Sequence, residues 1–305
     1  MATDNILRSY GDASRVQDVL PLVEIITASE AWFLNNLGKT VARDTVHQVQ
    51  EDSLATAASA AVEESADYTY LARTTPSRRS NLVENIVIPF KVSGTQQLIE
   101  HEHGQNEVAR QTAKALKEWG NAAEFDLLRS TLVSGVSGTS PKMGGILEQI
   151  SKSTTVSDQA SDTVFSASVL KGLLKQSWDT GYGEVVTDLF LDSNHKNVFD
   201  EFTAASTKFM AQDSKTVQNY VDVYDAGGFG RVAVHIHRYL YQSGDVSRKV
   251  LGLRPDKFSI AYLQSPLIKR DLAITGDFVP LAVQGKLTLE CRSQICNFLA
   301  TGFAL

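Results

Sequence analysis

Lysine is missing from one long stretch of this sequence, since none occurs between Lys39 and Lys91. Between Val41 and Asn85 the chain also lacks isoleucine, phenylalanine, tryptophan and methionine. A segment so poor in bulky apolar side chains cannot bury a core of its own, because apolar burial must offset the entropy lost when a chain is ordered. The stretch is therefore predicted to lie outside the globular core.

Cysteine and long apolar runs are scarce as well. The only cysteines are Cys291 and Cys296, which in an extended strand lie about 17 Å apart on opposite faces, so a disulfide between them is excluded. No run of roughly eighteen apolar residues occurs, and Met1 to Tyr10 has no apolar core of a signal peptide. The sequence predicts no membrane span and a protein that stays in the cytoplasm.

Positive charge is also sparse. The formal net charge is -6, the sequence pI is about 5.6, and no block of five or six basic residues occurs. A protein that grips nucleic acid needs a positive surface to release counterions. The composition therefore excludes a nucleic-acid-binding protein. It leaves open that the protein contacts DNA without having affinity for it.

The two ends of the lysine-free stretch alternate between faces as strands do. This pattern covers Val41 to Val49 and Asn85 to Phe90, which predicts a long two-stranded arm over residues 40–90. A lone hairpin is marginal in water, and a neighbouring copy of the same protein is the simplest support for it. The densest charges of the arm are either a solvated surface or contacts with that copy: Arg43, Glu63, Glu64, Asp67, Arg73, Arg78 and Arg79.

The rest of the chain mixes helices and strands, which predicts an α+β fold. Apolar residues at helical spacing indicate a long spine helix over 106–134, with Glu124 on its polar side, and a second helix over 168–180. A short apolar helix is expected within 12–39. Strands at 185–191, 220–224, 231–240 and 258–263, around a helix at 194–205, predict a compact mixed sheet, and strands 281–292 and 295–304 close the chain.

One histidine pair is the only candidate for chemistry. His235 and His237 are two residues apart in a predicted strand, which would place both imidazoles on one face, as in metal-dependent hydrolases. His101 and His103 lie within a helical pattern and do not complete a ligand set with them. A metal hydrolase is therefore kept only as an alternative, and we expect no catalytic residue, cofactor or metal.

The order of parts resembles the major capsid proteins of tailed bacteriophages, a fold that encapsulin shells share. The residue strings that carry the resemblance span nearly the whole chain from about Val19: HQVQEDSL at 47–54, EESAD at 63–67, RRSNLVENIVIPFKVSGT at 78–95, EWGNAAEFDLL at 118–128, GGIL at 144–147, FGRVAVHIHR at 229–238 and KLTLECRSQICNFLATGF at 286–303.

The resemblance implies a division of the chain into four parts. These are an N-terminal arm over 1–39, an extended β-hairpin loop over 40–92, a peripheral domain with the spine helix over 93–183 and 265–305, and an axial domain with the mixed sheet over 184–264. The implied function is structural, since identical copies in hexamers and pentamers would tile an icosahedral head that encloses double-stranded DNA. An encapsulin-type nanocompartment shell is the alternative within the same fold.

The resemblance also implies partners. A portal and a separate scaffolding protein are expected, the latter because about forty residues before the loop leave no room for a built-in scaffold, and a decoration protein is left open. Some phage capsids join subunits by a lysine-asparagine isopeptide bond, and the loop has no lysine for one. The shell is therefore expected to hold together without covalent bonds, as part of a virion assembled in the host cytoplasm.

Overall fold

A computed structural model of the chain describes residues 31–55, 57–65, 67, 70, 73–99, 106–151, 156–204, 223–225, 227–245 and 247–303. The part of the predicted N-terminal helix before residue 31 and the pair His101 and His103 lie outside these ranges. The helices are α1 Trp32–Asn36, α2 Gly94–Leu98, α3 Glu107–Arg129, α4 Ile146–Ser151, α5 Ala167–Thr180 and α6 Ser193–Ala204. The strands are β1 Gly38–Val41, β2 Val46–Glu51, β3 Ser77–Leu82, β4 Glu84–Ser93, β5 Val156–Thr163, β6 Asp188–Leu191, β7 Val223–Asp225, β8 Arg231–Ile236, β9 Arg248–Leu253, β10 Phe258–Lys269, β11 Phe278–Cys291 and β12 Phe298–Phe303.

A four-stranded sheet in the order β1-β10-β11-β4 forms one half of the body. Strand β11 pairs antiparallel with β10 and with β4, and β1 runs parallel to β10. Helix α3 covers one face of this sheet. The indole of Trp119 lies over Gly285, where a Cβ atom would come within 2.4 Å of the ring, and its Nε1 donates to the carbonyl of Ile86 at 3.1 Å. Glycine at 285 is therefore what lets the helix approach the strand.

A six-stranded sheet in the order β5-β12-β9-β6-β8-β7 forms the other half. Helix α5 packs against it with Leu170, Leu173 and Leu174, and ends at Gly181. One large apolar cluster joins the two sheets, since it contains Phe190 and Leu251 of the second sheet together with Phe258 and Leu289 of the first. The halves therefore share a continuous core.

The spine helix is shorter than predicted. It spans 23 residues, about 34 Å, and ends at Arg129 instead of continuing to residue 134. After Ser130 the chain leaves the helix, and Val133 bridges to Lys142 in an antiparallel pair. The residues after the helix satisfy their backbone groups in this hairpin, which local periodicity could not show.

The predicted mixed sheet differs in its members. Strand β10 belongs to the four-stranded sheet, and the closing strand β12 belongs to the six-stranded one. Strand β9 was not predicted at all, although it lies centrally between β12 and β6. Long-range pairing decides these memberships, and it leaves no mark on the local sequence pattern.

The predicted hairpin arm exists, but its strands are shifted outward. Strands β2 and β3 pair from Val46 with Leu82 to Glu51 with Ser77. The expected return strand at residues 85–90 is instead part of β4, because Ile86 and Val92 are buried within the body. Only residues between β1 and β4 project as a hairpin.

Candidate functional site

The arm is the main candidate site, and its base is fixed by polar contacts to the end of β11. Glu290 Oε2 accepts from Thr40 Oγ1 at 2.9 Å and lies 3.0 Å from His47 Nε2, while Arg292 Nε donates to Glu290 Oε1 at 2.8 Å. Burial raises the pKa of Glu290, but the hydrogen bonds from Arg292, Thr40 and His47 outweigh burial and hold it below its ordinary value. The ionised carboxylate therefore ties β1, β2 and β11 together.

A second contact holds the return limb of the arm, which contains β3. Arg79 donates to Glu51 across the hairpin at 2.8 Å, and its Nη1 lies 3.3 Å from Cys291 Sγ. Burial raises the pKa of Cys291 to about 12, so this thiol is not nucleophilic at neutral pH. Both Cys291 and Cys296 are free, as the sequence predicted, and both are buried.

The buried side chain of Asn81 anchors the inner end of the arm. Its Nδ2 donates to the carbonyls of Leu289 and Gly144 at 2.8 and 2.9 Å, and its Oδ1 accepts from Gly144 N at 2.8 Å. A small apolar cluster of Ala42, Val83 and Ala261 lies beside it. The sequence analysis missed Asn81 because a single asparagine in a polar strand gives no signal.

These contacts also define the direction of the arm. His47 lies at Glu290, and farther out Gln50 to Ser53 line an open cavity of about 360 Å³ together with Arg292, Ser293 and Ile295. The hairpin thus follows the chain beyond the end of β11 as it leaves the body. It runs away from the part of β11 that precedes Lys286.

The outer part of the arm, residues 54–72, is called the tip here. Thr74 Oγ1 donates to the carbonyl of Ser53 at 3.1 Å and closes the hairpin below it. Every described side chain of the tip is exposed, including Leu54 at 96% and Tyr70 at 92%. Between Asp44 and Ala72 the sequence has six carboxylates and no lysine or arginine.

The sequence-predicted contact residues are distributed along this arm. Glu63, Glu64 and Asp67 lie on the tip and are exposed, as are Arg43, Arg73 and Arg78 below it. Arg79 differs, because it is half-buried and pairs with Glu51 of the same chain at 2.7 Å. The arm therefore presents an acidic tip above a more basic return limb.

The four-stranded sheet has a solvent-facing side opposite α3, which is called the lysine face here. Lys91 of β4, Lys286 of β11 and Lys269 of β10 lie on this side by strand register. Val87 and Leu267 lie between them and are 40% and 36% exposed. Glu290 is on the same side of β11, so the base of the arm covers only one end of this face.

Buried acids lie where β4 begins. Burial, followed by the charge of Asp126, raises the pKa of Glu84 to about 7, against the opposing effects of the Met143 amide and Lys142. Met143 N donates to Glu84 Oε2 at 3.2 Å. Burial also raises the pKa of Asp126. The carboxyl of Glu84 therefore takes up a proton near neutral pH at the junction of β4, α3 and the loop before α4.

We expect the Glu84→Gln variant to lose part of the pH dependence of stability. Because the folded-state pKa is raised, this group contributes most stability below pH 4.5 and loses it as pH rises through about 7. At pH 8 the variant should be more stable than the original chain by about 1–2 kcal/mol after screening, with little difference at pH 5. Denaturant unfolding at both pH values measures this, with Glu118→Gln on exposed α3 surface as control. Equal differences at both pH values would contradict it.

The histidine pair does not form a common site. His235 Nε2 lies 2.8 Å from Asp188 Oδ1, whereas His237 Nε2 lies 3.1 Å from Glu124 Oε1. His237 follows the end of β8 instead of lying within it. Within the described ranges, no group of three or more His, Cys, Asp or Glu side chains could hold a metal ion. Each imidazole therefore has its own carboxylate partner.

Glu124 fixes the start of the described chain, although the sequence placed it on the polar side of α3. Its side chain is fully buried and accepts from the backbone N–H groups of Phe33 at 2.7 Å and Leu34 at 3.0 Å. These are donors of the first turn of α1, which have no partner within a helix. Phe33 is also fully buried, with its ring 5.0 Å from that of His237. A carboxylate on the spine helix therefore caps α1.

No helix among the residues described above has the length and apolar content to span a membrane.

Several solved structures share the fold of this chain. The chain is similar to the capsid of a native GTA particle, with a TM-score of 0.70 and 12% identity over 97% of each chain. It is also similar to the SrpI encapsulin from Synechococcus elongatus PCC 7942 (TM-score 0.65, 11% identity, 98% and 96% covered) and to the capsid of Myoviridae phage XM1 (0.63, 11%, 99% and 100%). At these identities the likeness shows the fold alone, which is the tailed-phage capsid fold that sequence analysis predicted.

The family is shown by sequence. The chain belongs to the SU10 major capsid protein family, whose model matches residues 5–304. It is therefore a structural protein of a bacteriophage capsid and a component of the virion, and the predicted family and function are confirmed. The fold alone does not separate phage capsids from encapsulins, but the family does, and it favours the phage capsid. No curated protein matches the sequence.

Proposed function

We propose that copies of this chain assemble with one another into the closed shell that encloses the phage DNA. The observation that carries this is the arm, which projects from the body with every described tip side chain exposed, Leu54 and Tyr70 included. Apolar side chains held in water on an extended loop gain stability when a second surface covers them. The similar structures of the GTA particle and of phage XM1, which are capsids, agree with this.

The finer organisation is part of the same proposal. The four-stranded sheet with the spine helix would form the peripheral unit, and the six-stranded sheet the axial unit around the symmetry axes of hexamers and pentamers. Residues 1–39 and the hairpin would serve as the two arms. This follows the domain order implied by the resemblance, with β10 and β12 assigned to units by their sheets.

Further partners follow from the role of a shell. We propose a portal and a separate scaffolding protein as partners, with a decoration protein left open as a supplement, assembly in the host cytoplasm and no enzymatic activity. The net charge of -6 supports enclosure of DNA without specific binding, because like charges keep the shell from adhering to its contents. With no lysine between Lys39 and Lys91, the hairpin cannot supply an amine for isopeptide bonds. Non-covalent contacts that bury surface between subunits would therefore hold the shell together.

Electron microscopy of purified particles tests the proposal. The chain, expressed with the genes that neighbour its own, should form closed shells of uniform size that sediment far faster than the subunit. Soluble monomers under all such conditions would contradict assembly. Shells that enclose a protein cargo and no DNA would favour the encapsulin alternative.

Substitutions of two neighbouring arginines distinguish a contact between subunits from a structural role within one subunit. Arg78 is exposed and Arg79 pairs with Glu51 in the same chain. We expect Arg78→Glu to lower the yield of shells without changing the melting temperature of the unassembled subunit. Arg79→Glu should lower that melting temperature, because it places two carboxylates together at the base of the arm. If Arg78→Glu leaves shell yield unchanged, Arg78 belongs to the solvated surface.

A further inference from the structure

Two of the chain crossings between the halves of the body are short and lie side by side. Residues 254–257 lead from β9 in the six-stranded sheet to β10 in the four-stranded sheet, and residues 292–297 lead from β11 back to β12. The amide of Arg292 donates to the carbonyl of Lys257 at 2.8 Å, which joins the two crossings. Short segments at the ends of packed elements are where rotation between two halves is absorbed. The paired crossings therefore lie at the axis about which the halves can rotate.

An ion pair between Arg129 and Asp245, called the junction ion pair here, joins the halves at a distance from these crossings. Arg129 is the last residue of α3, and Asp245 lies in the loop between β8 and β9. The Arg129 guanidinium donates through Nη1 to Asp245 Oδ2 at 2.8 Å and through Nη2 to Oδ1 at 2.6 Å, and Nη1 also lies 3.2 Å from the carbonyl of Tyr239. The ion pair precedes β9 and the crossing at 254–257 follows it, so the two are separated by the length of this strand, about 17 Å.

The junction ion pair is suited to fix an angle. Its side chains are mostly buried, at 15% and 14% exposed, and the hydrogen bonds from Arg129 hold the pKa of Asp245 at about 2 in spite of burial. A buried ion pair adds little net stability, because desolvation offsets the attraction, but a two-pronged guanidinium contact has a fixed geometry. Glu124 holds His237 in the same loop by a single contact at 3.1 Å, which fixes a distance and leaves the rotation free. The apolar core that the halves share is not directional either.

We propose that Arg129 is a positioning residue that fixes the angle between the two halves and, through that angle, the size of the closed shell. This rests on the proposed self-assembly and names what determines its geometry. The arm projects from the four-stranded half, and the six-stranded half is the proposed axial unit, so both halves meet neighbouring copies. An angle within one subunit then becomes an angle between subunits. Identical chains close only when the rotation at each contact fits, so a change repeated in every copy alters where the shell closes.

Removal of both charges tests this role without leaving a buried charge unpaired. Arg129→Met combined with Asp245→Asn removes the two-pronged contact and keeps an acceptor for the amide of Gln242, which lies 2.9 Å from Asp245 Oδ2. Shells should still form, but the fraction of particles outside the main diameter class should rise about tenfold, because two arrangements of the halves become closer in free energy. Arg129→Lys keeps the charge without the planar fork and should broaden the diameters to a smaller extent. Electron microscopy of purified particles measures the diameters.

Two further measurements separate positioning from stability. The melting temperature of the unassembled subunit should change little in the double variant, because replacing both partners of a buried pair is often close to neutral. Small-angle X-ray scattering of the same subunits should show a wider range of maximum dimensions. The matched control is Glu107→Gln with Arg110→Met, which removes a two-pronged pair with distances of 2.8 and 2.6 Å within α3. This control should leave both the scattering and the particle diameters unchanged.

The outcomes that would overturn the proposal are distinct from a failure of assembly itself. If the double variant and Arg129→Lys both form particles with the narrow diameter of the original chain, the junction ion pair does not set shell size, while self-assembly stands. Folded variants with unchanged scattering that form no particles would assign Arg129 to a direct contact between subunits and overturn its role in the angle. If the double variant does not fold, Arg129→Lys decides by the same two criteria. If the original chain forms no shells, the proposed function fails, and scattering alone decides whether the pair fixes the angle.

Discussion

Removal of the tip should abolish shells and leave the subunit folded. The change joins Ser53 to Arg73 by a short glycine linker in place of residues 54–72. No buried cluster contains a tip residue among those described, and the bond between Thr74 and the Ser53 carbonyl already brings the ends of the deletion together. Particle yield by sedimentation and microscopy should fall to background, while the melting temperature of the unassembled subunit stays close to that of the original chain.

The boundaries of this deletion matter. A cut from Ala42 to Phe90, which the sequence pattern alone suggested, would remove most of β4 and with it the buried Ile86 that packs in the main core. Such a variant would fail to fold and would not test assembly. A tip of equal length made of glycine and serine is the matched control, and it should also fail to form shells because it lacks the apolar and acidic side chains. Closed particles of normal size from the shortened chain would disprove the requirement for the tip.

Substitution of Glu124 should have the largest effect on the stability of the subunit. Glu124→Ala leaves the amides of Phe33 and Leu34 buried without acceptors and removes the partner that His237 has at 3.1 Å. Losing hydrogen bonds to a fully buried charged group costs about 3 kcal/mol. Denaturant unfolding should show this loss, and limited proteolysis should cut the N-terminal segment near α1 faster. The exposed Glu118→Ala on the same helix is the control. A loss as small as that of the control would show that α1 does not depend on this cap.

The sequence predicted what depends on local composition and period. A segment poor in bulky apolar residues was expected to leave the core, and β2 and β3 do pair as a projecting hairpin. Helix α5 and its end at Gly181 also follow from spacing and a terminal glycine. Both features are decided within a few neighbouring residues.

Other features depend on partners far away in the chain. Glu124 looked like a solvent-facing charge, yet the N–H groups of residues ninety positions earlier make its burial favourable. Leu116 is apolar and yet 41% exposed, while the neighbouring Ala115 is buried. Which positions of a helix are exposed depends on the sheet against which the helix packs. Here the contact between the Trp119 ring and Gly285 sets the rotation of α3 about its axis.

The basis of the candidate site was only partly visible in the sequence. Its charged residues could be named, including Glu63, Glu64 and Asp67, because charge and the absence of lysine are read directly from the amino-acid sequence. The in-chain partner of Arg79 could not be named, since it follows from the register that places Arg79 opposite Val49. The lysine face was invisible for a similar reason, because Lys91, Lys269 and Lys286 come together only when β4, β10 and β11 pair.

The absence of basic residues from the outer arm also determines where trypsin can cleave the protein. Trypsin cleaves after lysine and arginine, so between the exposed Arg43 and Arg73 it has no site at all. The entire acidic span 44–73 is therefore released as one peptide, and only when both flanking arginines are open to the enzyme. The amount of that single peptide therefore measures the fraction of arms that no other surface covers. The composition of the arm thus allows its contacts to be followed by trypsin digestion.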